Sequence, residues 1–260
     1  MHISKSEIAL LRSLAQKKIR EREKKFLVEG WKSVHDAVAS DFHIELIAMT
    51  EEQLVDPDRQ VLVHEIESRK IKLKILSKME LKQVSDTVHA QGVVAMIGQK
   101  TRTIDELFSR NPKLLVFADR VADPGNLGTM VRTCDWFGVD GLILSNGCVD
   151  LYNEKVVRST SGSIFHIPVV ERTEAKEIVP QLRAKGFWIV ATSGESKISY
   201  SVAPTKDKNL LIFGNESVGI HPDMRRMSDL EVNIPRLGKA ESLNVGVACG
   251  IILSNLKNQR

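Results

Sequence analysis

Five polar side chains set among glycines could do chemistry here: Asn126, Arg132, Glu216, Ser242 and Asn244. Amides, hydroxyls, a carboxylate and a guanidinium hold and orient a ligand by hydrogen bonding. Glycines beside them (Gly125, Gly128, Gly214, Gly219, Gly238) let a ligand approach the backbone closely. Each residue alone also has a structural explanation. Asn126, Ser242 and Asn244 could cap helices, Arg132 could make a surface ion pair, and Glu216 could be a loop carboxylate. Three polar, glycine-bearing loops of this kind favour one shared site.

Several chemistries are disfavoured. Gly125-Asn126-Leu127-Gly128 is neither GxGxxG nor a phosphate-cradling Walker loop, and no Lys-Ser/Thr pair follows it. A dinucleotide-dependent oxidoreductase would also want an acidic ribose ligand about twenty residues on, and none is evident. Cys134, Cys148 and Cys249 are far apart with no CxxC, and the seven His show no HExxH spacing, so no metal site is expected. Cys134 and Cys249 read as small buried hydrophobes. His166 and His221 flank loops and read as structural.

The elements that position these loops alternate between strand and helix. Residues 114–117, 142–144, 167–170, 188–191, 210–213 and 231–234 read as strands. Residues 126–137, 154–158 and 175–185 read as helices, and the apolar run 245–253 as a last one. Strands without alternation, spaced by helices, imply a parallel sheet covered on both faces. The three polar loops then follow the strands ending at Phe117, Phe213 and Ile234, where ligands bind in open α/β sheets.

Residues 1–100 form a smaller α/β pattern. Strands are expected at 26–28, 45–49, 73–76 and 93–97, and helices at 31–39, 57–66 and 78–84. Before them lies one amphipathic helix with a capping-box spacing, Ser4-x-x-Glu7, and Ile8, Leu11, Ala15 and Ile19 on its apolar face. The polar stretch 99–112 reads as the boundary. Net charge is only +4, but residues 1–32 hold nine Lys/Arg against four Glu. That basic face, Arg12, Lys17, Lys18, Arg20, Arg22, Lys24 and Lys25, is either a solvated surface or a phosphate-contacting one. No apolar run approaches the ~20 residues of a membrane span. No signal or transit pattern opens the chain, so a cytoplasmic location is expected.

Asn126 with Arg132, then Phe213-Gly214-Asn215-Glu216, then Ile234-Pro235 with Ser242-Leu243-Asn244-Val245, resemble the three motifs of the SpoU/TrmH-type RNA 2′-O-ribose methyltransferases of the SPOUT superfamily. Gly246 departs from the pattern, since the family usually has a second Ser there. Residues 25–30, after the basic helix, resemble the start of the family's small RNA-binding domain, which is related to a ribosomal-protein fold.

The resemblance implies an α/β chain with two domains. Residues 1–100 would be an RNA substrate-binding domain, and residues 113–260 a parallel-sheet SPOUT methyltransferase domain with a C-terminal trefoil knot. It implies S-adenosylmethionine held by Gly214, Ile234 and Leu243, with help from Thr192. It implies Arg132, Asn126, Glu216, Ser242 and Asn244 as catalytic residues, a homodimer, and no metal. Gly246, Ala248 and Gly250 would let the last helix pack closely at the dimer interface. Large-subunit 23S rRNA is the favoured substrate and transfer RNA the alternative. A non-catalytic RNA-binding protein on the same fold is the competing class.

Overall fold

The computed structural model describes residues 1–85 and 90–258. From the amino end the elements run α1 (Lys5–Ser13), α2 (Lys17–Glu23), β1 (Lys25–Glu29), α3 (Trp31–Ala39), β2 (Ile44–Met49), α4 (Glu51–Leu54), α5 (Gln60–Ser68), β3 (Leu73–Ile75), α6 (Lys78–Val84) and β4 (Val93–Gly98). They continue with α7 (Ile104–Ser109), β5 (Leu114–Ala118), α8 (Pro124–Trp136), β6 (Gly141–Ser145), α9 (Glu154–Thr160), β7 (Val169–Thr173), α10 (Ala175–Ala184), β8 (Trp188–Thr192), β9 (Asn209–Phe213), α11 (Pro222–Arg226), β10 (Leu230–Val232) and α12 (Val245–Asn258).

The chain divides into two compact units, and the cut is not at a single point. The first unit holds residues 1–100 and also 152–166, and the second holds 101–151 and 167–260. Residues 152–166 were expected inside the second domain. They side with the first because Tyr152 and Phe165 stack on Phe26 of β1, with ring centroids 4.6 and 6.3 Å away, and Phe42 closes the cluster edge-on to Phe165 at 5.1 Å. Aromatic packing of this kind adds to area burial.

In the first unit four strands lie in the order β1-β4-β2-β3. β4 is antiparallel to both neighbours, and β3 is parallel to β2. Ile8, Leu11, Leu14, Leu27, Leu46, Val94 and Met96 form a core beside this sheet. The expected capping box is present, with Ser4 Oγ accepting from Glu7 N–H. The single basic helix is not. It breaks into α1 and α2, and Lys24 takes a left-handed conformation (φ 53°) that turns the chain into β1.

In the second unit six strands lie in the order β10-β8-β9-β5-β6-β7, and every neighbouring pair is parallel. All residues of β5, β6 and β9 are buried, as continuous apolar strands of a two-face-covered sheet should be. Leu115, Phe117, Ile143, Ile189, Leu210 and Ile212 build one core with α10, and Leu107 of α7 joins it. α7 lies where a polar linker was expected. Its signal was local, since Thr103 and Glu106 form a capping box. From β5 the chain leaves toward β6, and from β9 it leaves toward β10 on the opposite side. The crevice between two such diverging loops is where this architecture binds ligands.

Candidate active site

The loops after β5 and β9 and the loop before α12 meet through three side chains. Asn126 Nδ2 donates to Glu216 Oε1 at 2.8 Å, and Asn244 Nδ2 donates to Asn126 Oδ1 at 2.7 Å. Three residues picked from three separate loops thus form one hydrogen-bonded chain, with Asn126 at its centre. Two longer bonds, from Ala122 N–H at 3.5 Å and Asp123 N–H at 3.4 Å, also reach the Glu216 carboxylate.

Local sequence explains why Asn126 is free for this. Asp123 is the N-cap of α8, with its Oδ1 accepting from Asn126 N–H at 2.8 Å, and Pro124 takes the first helical position. Those residue types suit those positions. Capping is therefore done by Asp123, and the Asn126 side chain is left to face the other loops. Asn244 does both jobs. Its Oδ1 accepts from Gly246 N–H at 2.9 Å and Val247 N–H at 3.2 Å, capping α12, while its amide nitrogen holds Asn126. Ser242 was an equal candidate for capping. It is exposed and makes no hydrogen bond among the described residues.

Arg132 lies on α8, exposed, with no hydrogen-bond or ion-pair partner among the described residues. The surface ion pair that would make it merely structural is not formed. Its five donors remain available to a ligand.

The loop after β9 is closed on itself. Asn215 and Gly219 exchange backbone bonds of 3.1 and 2.9 Å, and a Cβ on Gly214 would lie 2.3 Å from Ile220 N. Only glycine fits position 214. Between Ile234 and Leu243, by contrast, the sole hydrogen bond among the described residues is Arg236 Nη1 to Ala240 O at 3.4 Å. A stretch of backbone donors and acceptors is left unengaged there, and Leu243 is half exposed. From Pro235 on, these groups are exposed to solvent and so accessible to a ligand. Thr192 is different, because its Oγ1 already donates to Ile212 O at 2.9 Å and so serves β9.

Gly246 and Gly250 pack within the chain, against α8. A Cβ on Gly246 would lie 2.8 Å from Thr129 Cγ2, and one on Gly250 would lie 3.7 Å from Thr133 Cγ2. Both glycines receive threonines of α8 within the same chain. Arg20 is not on a phosphate-facing surface, since it is 2% exposed and its Nη1 donates to Leu14 O at 2.8 Å and Ala15 O at 2.7 Å. It ties α2 to the end of α1. Arg12, Lys17, Lys18, Arg22 and Lys24 do reach solvent. Arg22 pairs with Glu23 at 2.8 Å, and half-buried Lys25 pairs with Glu45 at 3.2 Å.

Asn215 lies within the Phe213-Gly214-Asn215-Glu216 motif and has a task that the motif alone does not reveal. Its Nδ2 donates to Arg120 O at 2.8 Å, and its Oδ1 accepts from Ser217 and Val218 N–H. An Asn at the start of a glycine-bearing turn was the available signal.

A parallel six-stranded sheet, with a polar site assembled from strand-end loops and backed by a C-terminal helix, defines a class of α/β enzyme. The family model described as the SpoU rRNA Methylase family matches residues 113–254, and that described as the MRM3-like substrate binding domain matches residues 5–95. The chain belongs to the SpoU rRNA methylase family. It is 33% identical over 95% of its length to the 23S rRNA (guanosine(2553)-2′-O)-methyltransferase RlmP of Bacillus subtilis, covering 94% of that protein. The AdoMet-bound rRNA methyltransferase from Sinorhizobium meliloti superimposes with a TM-score of 0.88 at 28% identity, covering 100% of this chain and 98% of that one. The SpoU methyltransferase AviRb from Streptomyces viridochromogenes, in complex with AdoMet, superimposes with a TM-score of 0.86 at 26% identity, covering 99% and 98%.

Proposed function

We propose that this protein transfers a methyl group from S-adenosylmethionine to a ribose 2′-hydroxyl of RNA, with 23S rRNA as the substrate. The carrying observation is the Asn244–Asn126–Glu216 hydrogen-bonded chain with an unengaged Arg132 on the helix that bears Asn126. Membership of the SpoU rRNA methylase family and the rRNA methyltransferase relatives support the substrate class.

The residues present fit the cofactor. Among the described residues Gly214 makes no hydrogen bond and has no room for a side chain, and the backbone of residues 234–243 makes only the bond at Ala240 O. In this reading Gly214, Ile234 and Leu243 hold S-adenosylmethionine through backbone groups, and Thr192 contributes by keeping β9 in register. When bound, the cofactor supplies an electrophilic methyl on a sulfonium. Methyl transfer then needs alignment and an acceptor for the hydroxyl proton. A guanidinium offers donors and no acceptor. Arg132 therefore grips an RNA phosphate with two N–H bonds and orients the hydroxyl, while the phosphate or a water takes the proton. Asn126 and Glu216 hold the ribose, with Asn244 fixing Asn126 and Ser242 closing the loop over the target.

The same reading includes a deep trefoil knot built from residues 214–221 and 234–244, and a homodimer. Two exposed apolar side chains support the dimer: Trp136 of α8 is 83% exposed, and Val247 of α12 is 48% exposed. RNA recognition falls to residues 1–100, through Arg12, Lys17, Lys18, Arg22 and Lys24. No helix among the described residues is long and apolar enough to cross a membrane, and a cytoplasmic location belongs to the same reading.

The test is methyl incorporation from labelled S-adenosylmethionine into 23S rRNA and transfer RNA, with the modified ribose mapped. We expect one 2′-O-methyl on 23S rRNA. Methylation of transfer RNA alone would move the substrate. Cofactor binding without methylation of either would leave a non-catalytic RNA-binding protein.

A further inference from the structure

Asp119 and Arg120 follow β5 directly, and their hydrogen bonds run to the loop after β9. Asp119 is 4% exposed. Its carboxylate accepts from four donors: His221 N–H at 2.7 Å, Ser145 Oγ at 3.3 Å, and Arg120 Nε and Nη2 at 3.3 and 3.2 Å. His221 stands at the far end of the loop that follows β9. Asp119 N–H donates to Phe213 O at 2.8 Å, at the near end of that loop. One residue thus holds both ends.

Arg120 holds the middle. Its carbonyl accepts from Asn215 Nδ2 at 2.8 Å, and its Nη2 donates to Gly219 O at 3.2 Å. Asn215 and Gly219 are the two residues that close the loop on each other. Arg120 does this from a left-handed backbone, φ 56°, stabilised by its N–H bond to Ser145 Oγ at 2.8 Å. A long side chain in that conformation is uncommon, and strained residues of this kind persist where the surroundings over-determine them.

We infer that Asp119 and Arg120 are positioning residues for methyl transfer, and that they act through Glu216. The loop they hold, residues 214–221, is internally closed, so it moves as a body. Fixing Phe213, Asn215, Gly219 and His221 fixes where Glu216 points. Glu216 in turn holds Asn126. Both oxygens of Asp119 accept from donors, so an amide at 119 cannot satisfy them all in either orientation and must turn its own N–H groups against a donor. An amide that keeps its oxygen toward His221 N–H turns its NH2 against Arg120 Nε, and one turned the other way loses His221 N–H, so one of the two anchors of the loop is released. The inference rests on the proposed role of Glu216.

The experiment uses the full chain with S-adenosylmethionine and substrate RNA. Single-turnover methylation is measured for Asp119→Asn, Arg120→Ala, Glu216→Ala and the double variant Asp119→Asn/Glu216→Ala, beside backbone hydrogen exchange across residues 214–221. We expect Asp119→Asn to lose about 10-fold or more in rate, with RNA affinity within about 2-fold of wild type. The double variant should fall no more than about 3-fold below the slower single one, because residues acting in series are not additive. Exchange over 214–221 should quicken while β6 and β7 stay unchanged. If Asp119→Asn fails to fold, Arg120→Ala carries the same comparison. Multiplicative losses in the double variant, or a wild-type rate in both single variants, would overturn the inference. If wild type itself transfers no methyl, the functional reading fails, and the hydrogen-exchange arm still reports whether Asp119 holds the loop.

Discussion

Asn244 Nδ2 donates to Asn126 Oδ1 at 2.7 Å although 118 positions of chain separate them. Asn126 passes the connection on to Glu216 at 2.8 Å, 90 positions away. An amide donates and accepts at once, so an Asn between a donor and an acceptor couples two loops that share no backbone hydrogen bond among the described residues. Disturbing any one of the three side chains should therefore disturb the other two.

Glu216→Ala removes the acceptor at the end of this chain. The single-turnover rate should fall on the order of 100-fold, since small misplacements of aligned groups have costs of that size. Asn126→Ala combined with it should add little. An unchanged rate for Glu216→Ala at saturating RNA and cofactor would make the carboxylate purely structural.

Arg132→Ala should separate activity from stability. The side chain is exposed and unpartnered among the described residues, and exposed substitutions usually shift stability by less than about 0.5 kcal/mol. Methylation at saturating RNA should drop on the order of 100-fold. Arg132→Lys should recover little, because a point charge does not replace a two-pronged grip. Thermal melts run beside turnover assays decide this, and near-normal turnover removes Arg132 from the mechanism.

Gly246 tests the packing of α12 on α8. A serine there would place its Cβ 2.8 Å from Thr129 Cγ2 and 3.1 Å from Thr129 Cβ. A β-branched side chain on a helix is stiff and yields poorly, so Gly246→Ser should destabilise by about 1–3 kcal/mol. Adding Thr129→Ser deletes the obstructing methyl and should restore part of the loss. Urea midpoints of the single and double variants measure it.

Arg20→Ala should behave unlike its basic neighbours. It strands the Leu14 and Ala15 carbonyls and empties a buried position, costing about 1–3 kcal/mol. Lys17→Ala with Lys18→Ala should leave stability alone and flatten the salt dependence of RNA binding, by roughly 0.7–0.9 in log–log slope per lost phosphate contact. An RNA-binding loss from Arg20→Ala in protein that is still folded would reverse these assignments.

Acid should weaken the first unit through Glu7. The Lys72 ammonium and the Ser4 N–H bond to its carboxylate and hold its pKa down from 4.5 to about 2. A carboxyl lowered on folding stabilises the native state fully above 4.5, and that stabilisation is lost as pH falls toward 2. Glu7→Gln should thus be less stable than wild type at pH 7, and the gap should close between pH 4.5 and 2. Denaturation curves at several pH values would show the convergence, and a gap that persists at low pH would assign the effect to packing.

Legibility followed the range of the interactions. The capping boxes at Ser4 and Glu7 and at Ser77 and Glu80 lie within one helical turn, and residue spacing alone exposes them. The Thr103–Glu106 box is equally local, but the polar residues around it mask α7 as a linker. The small residues of α12 had the right spacing for close helix packing, but spacing does not say which helix arrives. It proved to be α8 of the same chain.

Local residue patterns carry the alternation of strands and helices, the parallel sheet, and the three loops whose polar residues and glycines mark the site. These follow from periodicity and residue chemistry, which are properties of neighbouring positions. Which side chain does which task is set by contacts between segments far apart in the chain. Asp123 rather than Asn126 caps α8, Arg20 turns inward, and residues 152–166 side with the first unit. Asp119 reaches Ser145 and His221, 26 and 102 positions away. Such pairings depend on which loops the sheet order brings together, and no local pattern of residues encodes that order.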